Sequence, residues 1–254
     1  MSWGYTQANG PSTWAASFPG AGGSAQSPVD IQTNAVKHDG GLASMAVNYK
    51  AEAQYTATNT GTGFKVDLQN VSELSGGPLN ASYKLVQFHW HWGPSDSTGS
   101  EHTIDGKQYA AELHLVHSNS KYSSFSEASS QPDGLAVIAV MIEAGSANEA
   151  FQDMVAVSKN VNGCGDTCKV KKSFNPSVLL PSRANEFYTY HGSLTTPPCN
   201  ESVQWIVLRQ SVQYSSGQLG ALRSLASCEA GGCITTNHRP VMPLGGRAVS
   251  ASFK

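Results

Sequence analysis

The run Gln87-Phe88-His89-Trp90-His91-Trp92 constrains the fold more than any other stretch of this chain. Strand side chains alternate faces with a period of two. Gln87, His89 and His91 therefore share one face, and Phe88, Trp90 and Trp92 share the other. The aromatic face demands a covering layer, and the imidazole face suits a polar cleft. A second strand-like run, Tyr109 to Val116, puts Glu112, His114 and Val116 on one face. If the two strands pair, His114 joins His89 and His91. Three neutral imidazoles with one open position form the ligand set of a catalytic zinc site rather than a structural one. Gln87 precedes His89 by two residues on the same face, and Glu112 precedes His114 in the same way. Metal-bound histidines usually give their second ring N–H to such a partner. A lone strand histidine is more often structural. The joint occurrence of His-x-His and Glu-x-His with matching parity is what points to a metal.

Most of the chain reads as β. Phe64 to Leu68, Tyr83 to Trp92, Tyr109 to Val116, Leu135 to Glu143 and Val203 to Val212 are rich in β-branched and aromatic residues. Val137 to Ile142 is apolar on both faces, as a central buried strand requires. Helices are few. Ala147 to Lys159 has near-helical apolar spacing, and Ser215-x-x-Gln218 opens a short helix through Leu225 with a capping-box pattern. The first forty residues, rich in Gly, Pro and Ser, read as irregular coil laid over the surface. The expected fold class is mainly β with few short helices (α+β). No linker or repeat divides the 254 residues, so one domain over residues 1–254 is expected.

A formal net charge of -2 and 13% charged residues argue against nucleic acid or an acidic membrane surface as partner. The longest apolar stretch, Leu135 to Ile142, is too short to span a bilayer. The opening Met-Ser-Trp-Gly-Tyr has no charged and apolar leader pattern, so a cytoplasmic location is the expectation. Secretion is the alternative, suggested by cysteine pairs and by sequons at Asn70, Asn80 and Asn200. Cys164 lies close to Cys168, Cys228 lies close to Cys233, and Cys199 stands alone. The spacings leave a second zinc site, two disulfides and reduced thiols all open.

Gly192-Ser-Leu-Thr-Thr-Pro-Pro198 is stiffened by two prolines and presents the hydroxyls of Thr195 and Thr196. In isolation it is an ordinary turn, and Glu101 in Gly99-Ser-Glu-His-Thr103 is an ordinary surface carboxylate. Taken with the histidines, they belong to a longer pattern. It comprises Trp3-Gly-Tyr5, Gln26 to Ile31, Gly76 to Leu79, Gln87 to Gly93, Gly99 to Thr103, Tyr109 to His117, Gln131 to Ala136, Gly192 to Pro198, Asn237-x-Arg-Pro240 and Ala251 to Lys254. In these stretches, in order from end to end, the chain resembles the alpha-class carbonic anhydrases.

The resemblance implies a single domain around a large, twisted, mostly antiparallel central sheet. It implies Zn2+ on His89, His91 and His114, with Gln87 and Glu112 behind them. It implies reversible hydration of carbon dioxide to bicarbonate and a proton through zinc-bound hydroxide. By the same resemblance, Thr195 accepts a hydrogen bond from the nucleophile because Glu101 takes its own proton. Thr196 sits beside the substrate. Val116, Val137, Leu194, Val203 and Trp205 form the apolar wall of the substrate pocket, although each serves equally well as core. Tyr5 keeps its place in the proton-transfer network. One departure stands out: Thr62 occupies the position where fast members of the family carry a proton-shuttling histidine, and threonine does not titrate near neutral pH. His238, which replaces an aromatic residue, reads as structural. The partner expected is a small-molecule substrate, and the expected state is a monomer. The competing function is a non-catalytic relative that serves as a binding module. Such relatives have lost a zinc histidine, whereas this chain has all three. A zinc-buffering matrix protein would carry acidic or Gly/Asn repeats, and none occurs.

Overall fold

Alternation of apolar and polar residues produces strands wherever the sequence pattern has period two. The computed structural model describes residues 3–42, 44–69, 71–228 and 231–254. Asn70, one of the three sequon asparagines, lies outside the described residues. The strands that build the site are β1 (Tyr55–Asn59), β2 (Phe64–Asp67), β3 (Tyr83–Trp92), β4 (Ala111–Asn119), β5 (Leu135–Ala144), β6 (Phe187–Gly192) and β7 (Val203–Leu208). They pair in the order β1-β2-β3-β4-β5-β7-β6 within a sheet of 13 strands among the described residues. Neighbours in this run are antiparallel except β5 and β7, which are parallel. The expected strand through Val212 is interrupted: β7 ends at Leu208, and Val212–Tyr214 pairs separately with the far end of β5. The amino-terminal coil contributes two-residue strands at Asp30–Ile31 and Lys37–His38 as well as short helical turns.

A β-bulge sets the face of every residue in β3. His89 lies opposite His114 and Gln87 opposite Val116, but Leu85 lies opposite His117, leaving Val86 extra. Without that extra residue, Tyr83 and Leu85 would share the imidazole face. With it, they join Phe88, Trp90 and Trp92 in one buried cluster. A single inserted residue thus lets one strand bury aromatic and aliphatic side chains along its whole length while its end presents histidines to the opposite face. Helices α1 (Glu149–Ser158) and α2 (Ser216–Arg223) contribute buried residues to that cluster. Phe151 stacks on Tyr214 at 4.1 Å between ring centroids and lies 5.2 Å from Trp90. Phe88, Trp90 and Trp92 are fully buried, each worth roughly 1.5–3 kcal/mol of transfer free energy. The Ser215–Gln218 capping box forms with both of its hydrogen bonds. Asn148 caps α1 through the Phe151 N–H, a contact of about 1 kcal/mol.

The cysteines pair across the fold rather than between sequence neighbours. Cys164 bonds to Cys228, while Cys168, Cys199 and Cys233 are free. Cys168 is committed to the edge strand Thr167–Val170, opposite Ala57 in the ladder. That leaves Cys164, in the preceding turn, to meet the segment that follows α2. Among the described residues, no helix is long and apolar enough to cross a membrane.

Candidate active site

The floor of the site is the register of β3 on β4. Because His89 faces His114 directly and His91 follows His89 by two, the three rings meet with centroids 4.6 to 5.2 Å apart. Each ring is oriented from behind. The Nδ1–H of His89 donates to Gln87 Oε1 at 2.8 Å. His91 donates through Nδ1 to the carbonyl of Asn237 at 2.8 Å. His114 donates through Nε2 to Glu112 Oε1 at 2.7 Å. These bonds spend the ring protons on the outer nitrogens, so the inner nitrogens present lone pairs. His89 Nε2 and His91 Nε2 then stand 3.1 Å apart with no proton between them. That contact is repulsive unless a cation lies within reach of both. One donor atom from each of the three rings lies within 4.8 Å of the others, a donor set that fits a tetrahedral metal with one open position. Burial holds all three imidazoles below their usual range, His89 well below it and His91 down to about 4. All three are therefore neutral at pH 7, the form a metal needs.

Glu112 organises the inner side of the site. Its Oε2 accepts the backbone N–H groups of Glu101 (2.8 Å) and His102 (2.7 Å). Its Oε1 accepts from His114, and from His102 Nδ1 at 2.7 Å. Burial alone would raise this carboxyl, but the His102 and His114 interactions outweigh it and hold it well below the usual range. Beyond His102 the chain of contacts continues through Nε2 to the Tyr190 hydroxyl (2.6 Å), which donates to Ser27 Oγ (2.9 Å). Ser27 and Ser193 exchange two backbone-to-hydroxyl bonds. The network ends at the start of the loop that carries Thr195 and Thr196, so the carboxylate behind the histidines and the loop above them share one buried frame.

Glu101 is buried, not at the surface. Its Oε1 accepts the Arg239 N–H at 2.8 Å and lies 3.3 Å from His91 Nδ1. Burial pushes its carboxyl up to about 7, with Glu112 adding to the rise and His114 and the Thr195 hydroxyl opposing it. Its Oε2 has no partner of good hydrogen-bond geometry, so an acceptor remains free beside Thr195. The loop that brings Thr195 here turns through a cis bond between Pro197 and Pro198. It then passes through Cys199 at a left-handed φ of 59°, uncommon for a non-glycine residue. Asn237 and Arg239 were visible in the sequence only as a motif. In the structure, Asn237 orients His91 through its carbonyl and accepts the Trp92 N–H at 2.7 Å through its side chain. Spacing along the strand gave no sign of it, because the partner of His91 arrives from 146 residues away.

Above the floor the cleft divides into two lobes. One, of about 230 Å³, is lined by His114, Val116, Val137, Leu194, Thr195, Pro197, Pro198, Trp205 and the half-exposed Phe125. The other, of about 200 Å³, is lined by Trp3, Tyr5, Thr60, Thr62, Gly63, Lys65, His91 and Asn237. Gln87, His89 and Thr196 border both. Val203 is buried between Leu135 and Gly192 in the sheet and lies behind the wall, outside either lining. Thr62 bonds weakly to Thr60 Oγ1 at 3.3 Å, and Lys65 is paired with Asp67 at 3.0 Å. Burial pushes the Tyr5 phenol well above its usual range. His238 borders neither lobe; its Nδ1 lies 3.0 Å from Thr236 Oγ1 and 3.2 Å from the Trp92 carbonyl.

A mixed, mostly antiparallel sheet with three imidazoles at the floor of a two-lobed cleft defines a β protein with a donor set that could hold a metal ion. Comparison with known proteins narrows this class. Residues 9–253 match the model of the eukaryotic-type carbonic anhydrase family, and the chain belongs to that family. It is 46% identical over 261 residues to carbonic anhydrase 1 of Monodelphis domestica, an alignment covering 100% of this chain and 99% of that protein. It is 45% identical over 258 residues to carbonic anhydrase 1 of Mus musculus, covering 99% and 98% respectively.

Proposed function

We propose that this chain catalyses the reversible hydration of carbon dioxide to bicarbonate and a proton, with Zn2+ held by His89, His91 and His114. The observation that carries the reading is the convergence of three neutral imidazole lone pairs where an apolar lobe meets a polar one. Bound there, zinc supplies the Lewis acidity that makes a water nucleophilic near neutral pH, as carbonic anhydrases themselves exemplify. The remaining chemistry belongs to the chain. Gln87, Asn237 and Glu112 fix the ring tautomers and orientations. Thr195, with its proton directed to Glu101, is left to accept a hydrogen bond and so aim the nucleophile's lone pair at carbon. Val116, Val137, Leu194 and Trp205 offer carbon dioxide a surface from which loosely held water is readily displaced. Thr196 stands between the lobes, beside the substrate. Tyr5 and Thr62 hold the water of the polar lobe, through which the proton leaves.

The single domain acts as a monomer in this reading. The Cys164–Cys228 bond favours an oxidising compartment over the cytoplasm. Stopped-flow measurement of carbon dioxide hydration, with and without a strong chelator, tests the proposal. Fast hydration that disappears on chelation and returns with zinc is expected. Absence of hydration in the zinc-loaded protein would leave the binding-module alternative.

A further inference from the structure

We propose that the Cys164–Cys228 disulfide is a positioning element of the active-site rim. It holds the Thr60–Gly63 turn, and with it residue 62, at the mouth of the polar lobe, so that proton exit depends on it and the hydration step does not. The inference rests on the carbon dioxide hydration reading above.

Three segments meet at this corner. Asn59 donates its side-chain N–H groups to the carbonyls of Asn162 and Ala226, each at 3.0 Å. Its backbone exchanges bonds with Asp166 (3.0 Å) and Gly165 (2.9 Å), and its Oδ1 accepts the Gly61 N–H at 2.8 Å. The disulfide links the same two outer segments across 64 residues of sequence and lies directly against Gly61. A β-carbon on Gly61 would run into the Cys228 sulfur and stand 2.8 Å from that of Cys164. Gly61 also has φ +79°, which side chains rarely adopt. The sulfurs therefore form the outer wall on which the turn rests. Thr62 lies between that wall and the cleft: it borders the polar lobe, and together with Gly61, Tyr5 and Cys228 it borders an adjoining surface cavity of about 580 Å³. On the inner side, the Thr62 carbonyl accepts from Asn237 Nδ2 at 3.1 Å. The histidines at the floor are oriented by hydrogen bonds to Gln87, Asn237 and Glu112, none of them made to the disulfide. Asn237, whose side chain also binds the Thr62 carbonyl, is held independently by the Trp90 carbonyl and the Trp92 N–H. Removing the sulfur bridge should loosen the outer support of the turn and leave the floor intact. A proton relay needs donor and acceptor held within reach of ordered water, so it is the step that loses most when the turn moves.

The test compares four proteins: the unmodified chain, Cys164→Ser with Cys228→Ser, Thr62→His, and all three changes together. With the disulfide present, Thr62→His should raise kcat several-fold by supplying a shuttle. Without the disulfide, that gain should shrink by more than half. For the two-serine protein, kcat/KM and zinc affinity, read by competition with a chromophoric chelator, should stay within about twofold of the unmodified values. Amide hydrogen exchange should quicken at residues 61–63 and not in β3. If the two-serine protein is unfolded at assay temperature, Gly61→Ala with the disulfide intact carries the test. Its added methyl group must push the turn off the sulfurs and reduce the same gain. An equal gain from Thr62→His with a displaced or unsupported turn, or unchanged exchange at residues 61–63, overturns the proposal. Absence of hydration in every protein would overturn the functional reading instead, and the exchange measurement would still decide the positioning.

Discussion

The two lobes of the cleft share a floor but differ in what they are made of and how they are held. The lobe around Val116, Val137, Leu194 and Trp205 is walled by strands from the middle of the sheet and a proline-stiffened loop. Val116, Val137 and Trp205 are buried in a continuous apolar cluster, and the partly buried Leu194 packs against it. The lobe around Tyr5, Thr60 and Thr62 is walled by a turn and the amino-terminal segment, held by hydrogen bonds and one disulfide at its edge. The first is rigid because close packing makes any change in volume costly. The turn residues Thr60, Thr62 and Gly63 of the second belong to none of the apolar clusters. In the proposed reaction, substrate capture belongs to the closely packed lobe and proton release to the lobe bordered by the turn.

The largest effect should come from the floor that both lobes share. His91→Ala should abolish hydration and reduce zinc stoichiometry from one per chain toward zero, while circular dichroism shows the fold retained, since the sheet supplies the core. Wild-type activity in this variant, or in a metal-depleted sample, would break the comparison at its base.

Next is the loop side of the apolar lobe. Thr195→Ala should retain zinc but lose about 10²-fold in kcat/KM, the usual cost of one positioned transition-state hydrogen bond. Glu101→Gln should be comparably harmful, because an amide can offer a donor where Thr195 needs an acceptor. Steady-state kinetics with metal analysis checks both. Two variants at wild-type rates would show that the hydroxyl does not orient the reaction.

A smaller effect is expected in the polar lobe. Among the described residues, no histidine other than His89, His91 and His114 borders either lobe. Small imidazole buffers should therefore raise kcat several-fold and leave kcat/KM almost unchanged, since regeneration follows bicarbonate release. A kcat indifferent to buffer would mean that another group already carries the proton.

The smallest effect concerns the metal-free floor and stability against pH. His91 titrates near 4 in the folded chain against 6.5 as its ordinary value, and so does the fully buried His117. Below 6.5 the unfolded chain takes up protons that the folded chain refuses, so stability falls as pH drops from 6.5 toward 4. Glu101 acts in the opposite sense between about 7 and 4.5, because its folded carboxyl holds a proton that the unfolded one releases. With several histidines against one carboxyl, the apo protein should lose on the order of 1–3 kcal/mol between pH 7 and pH 5. Urea unfolding in the presence of chelator reads this directly. An unchanged midpoint would mean that the buried imidazoles are relieved in some other way.

Much of this site was legible in the chain. Period-two alternation placed His89 and His91 on one face and the aromatic residues on the other. The parity of Glu112 and His114 put both beside them, and the capping box at Ser215 marked its helix. These are local signals, because a strand or a helix end depends on residues a few positions apart. Glu101 taken alone read as a surface carboxylate, and only the longer motif pattern gave it a place beside Thr195; the fold buries it. The bulge at Val86, the union of Cys164 with Cys228 and the carbonyl of Asn237 behind His91 had no local signature. Nor did the His102–Tyr190–Ser27 chain that ties Glu112 to the Thr195 loop. Each of these joins segments far apart in sequence, and such a contact exists only once the intervening chain has closed and excluded water. By itself, the sequence determined which side chains could share a face and which chemistry they could support. Tertiary structure decided which nitrogen of each ring points inward, which carboxylate is buried and which cysteines meet, because those depend on distances that packing alone brings below hydrogen-bond and covalent range.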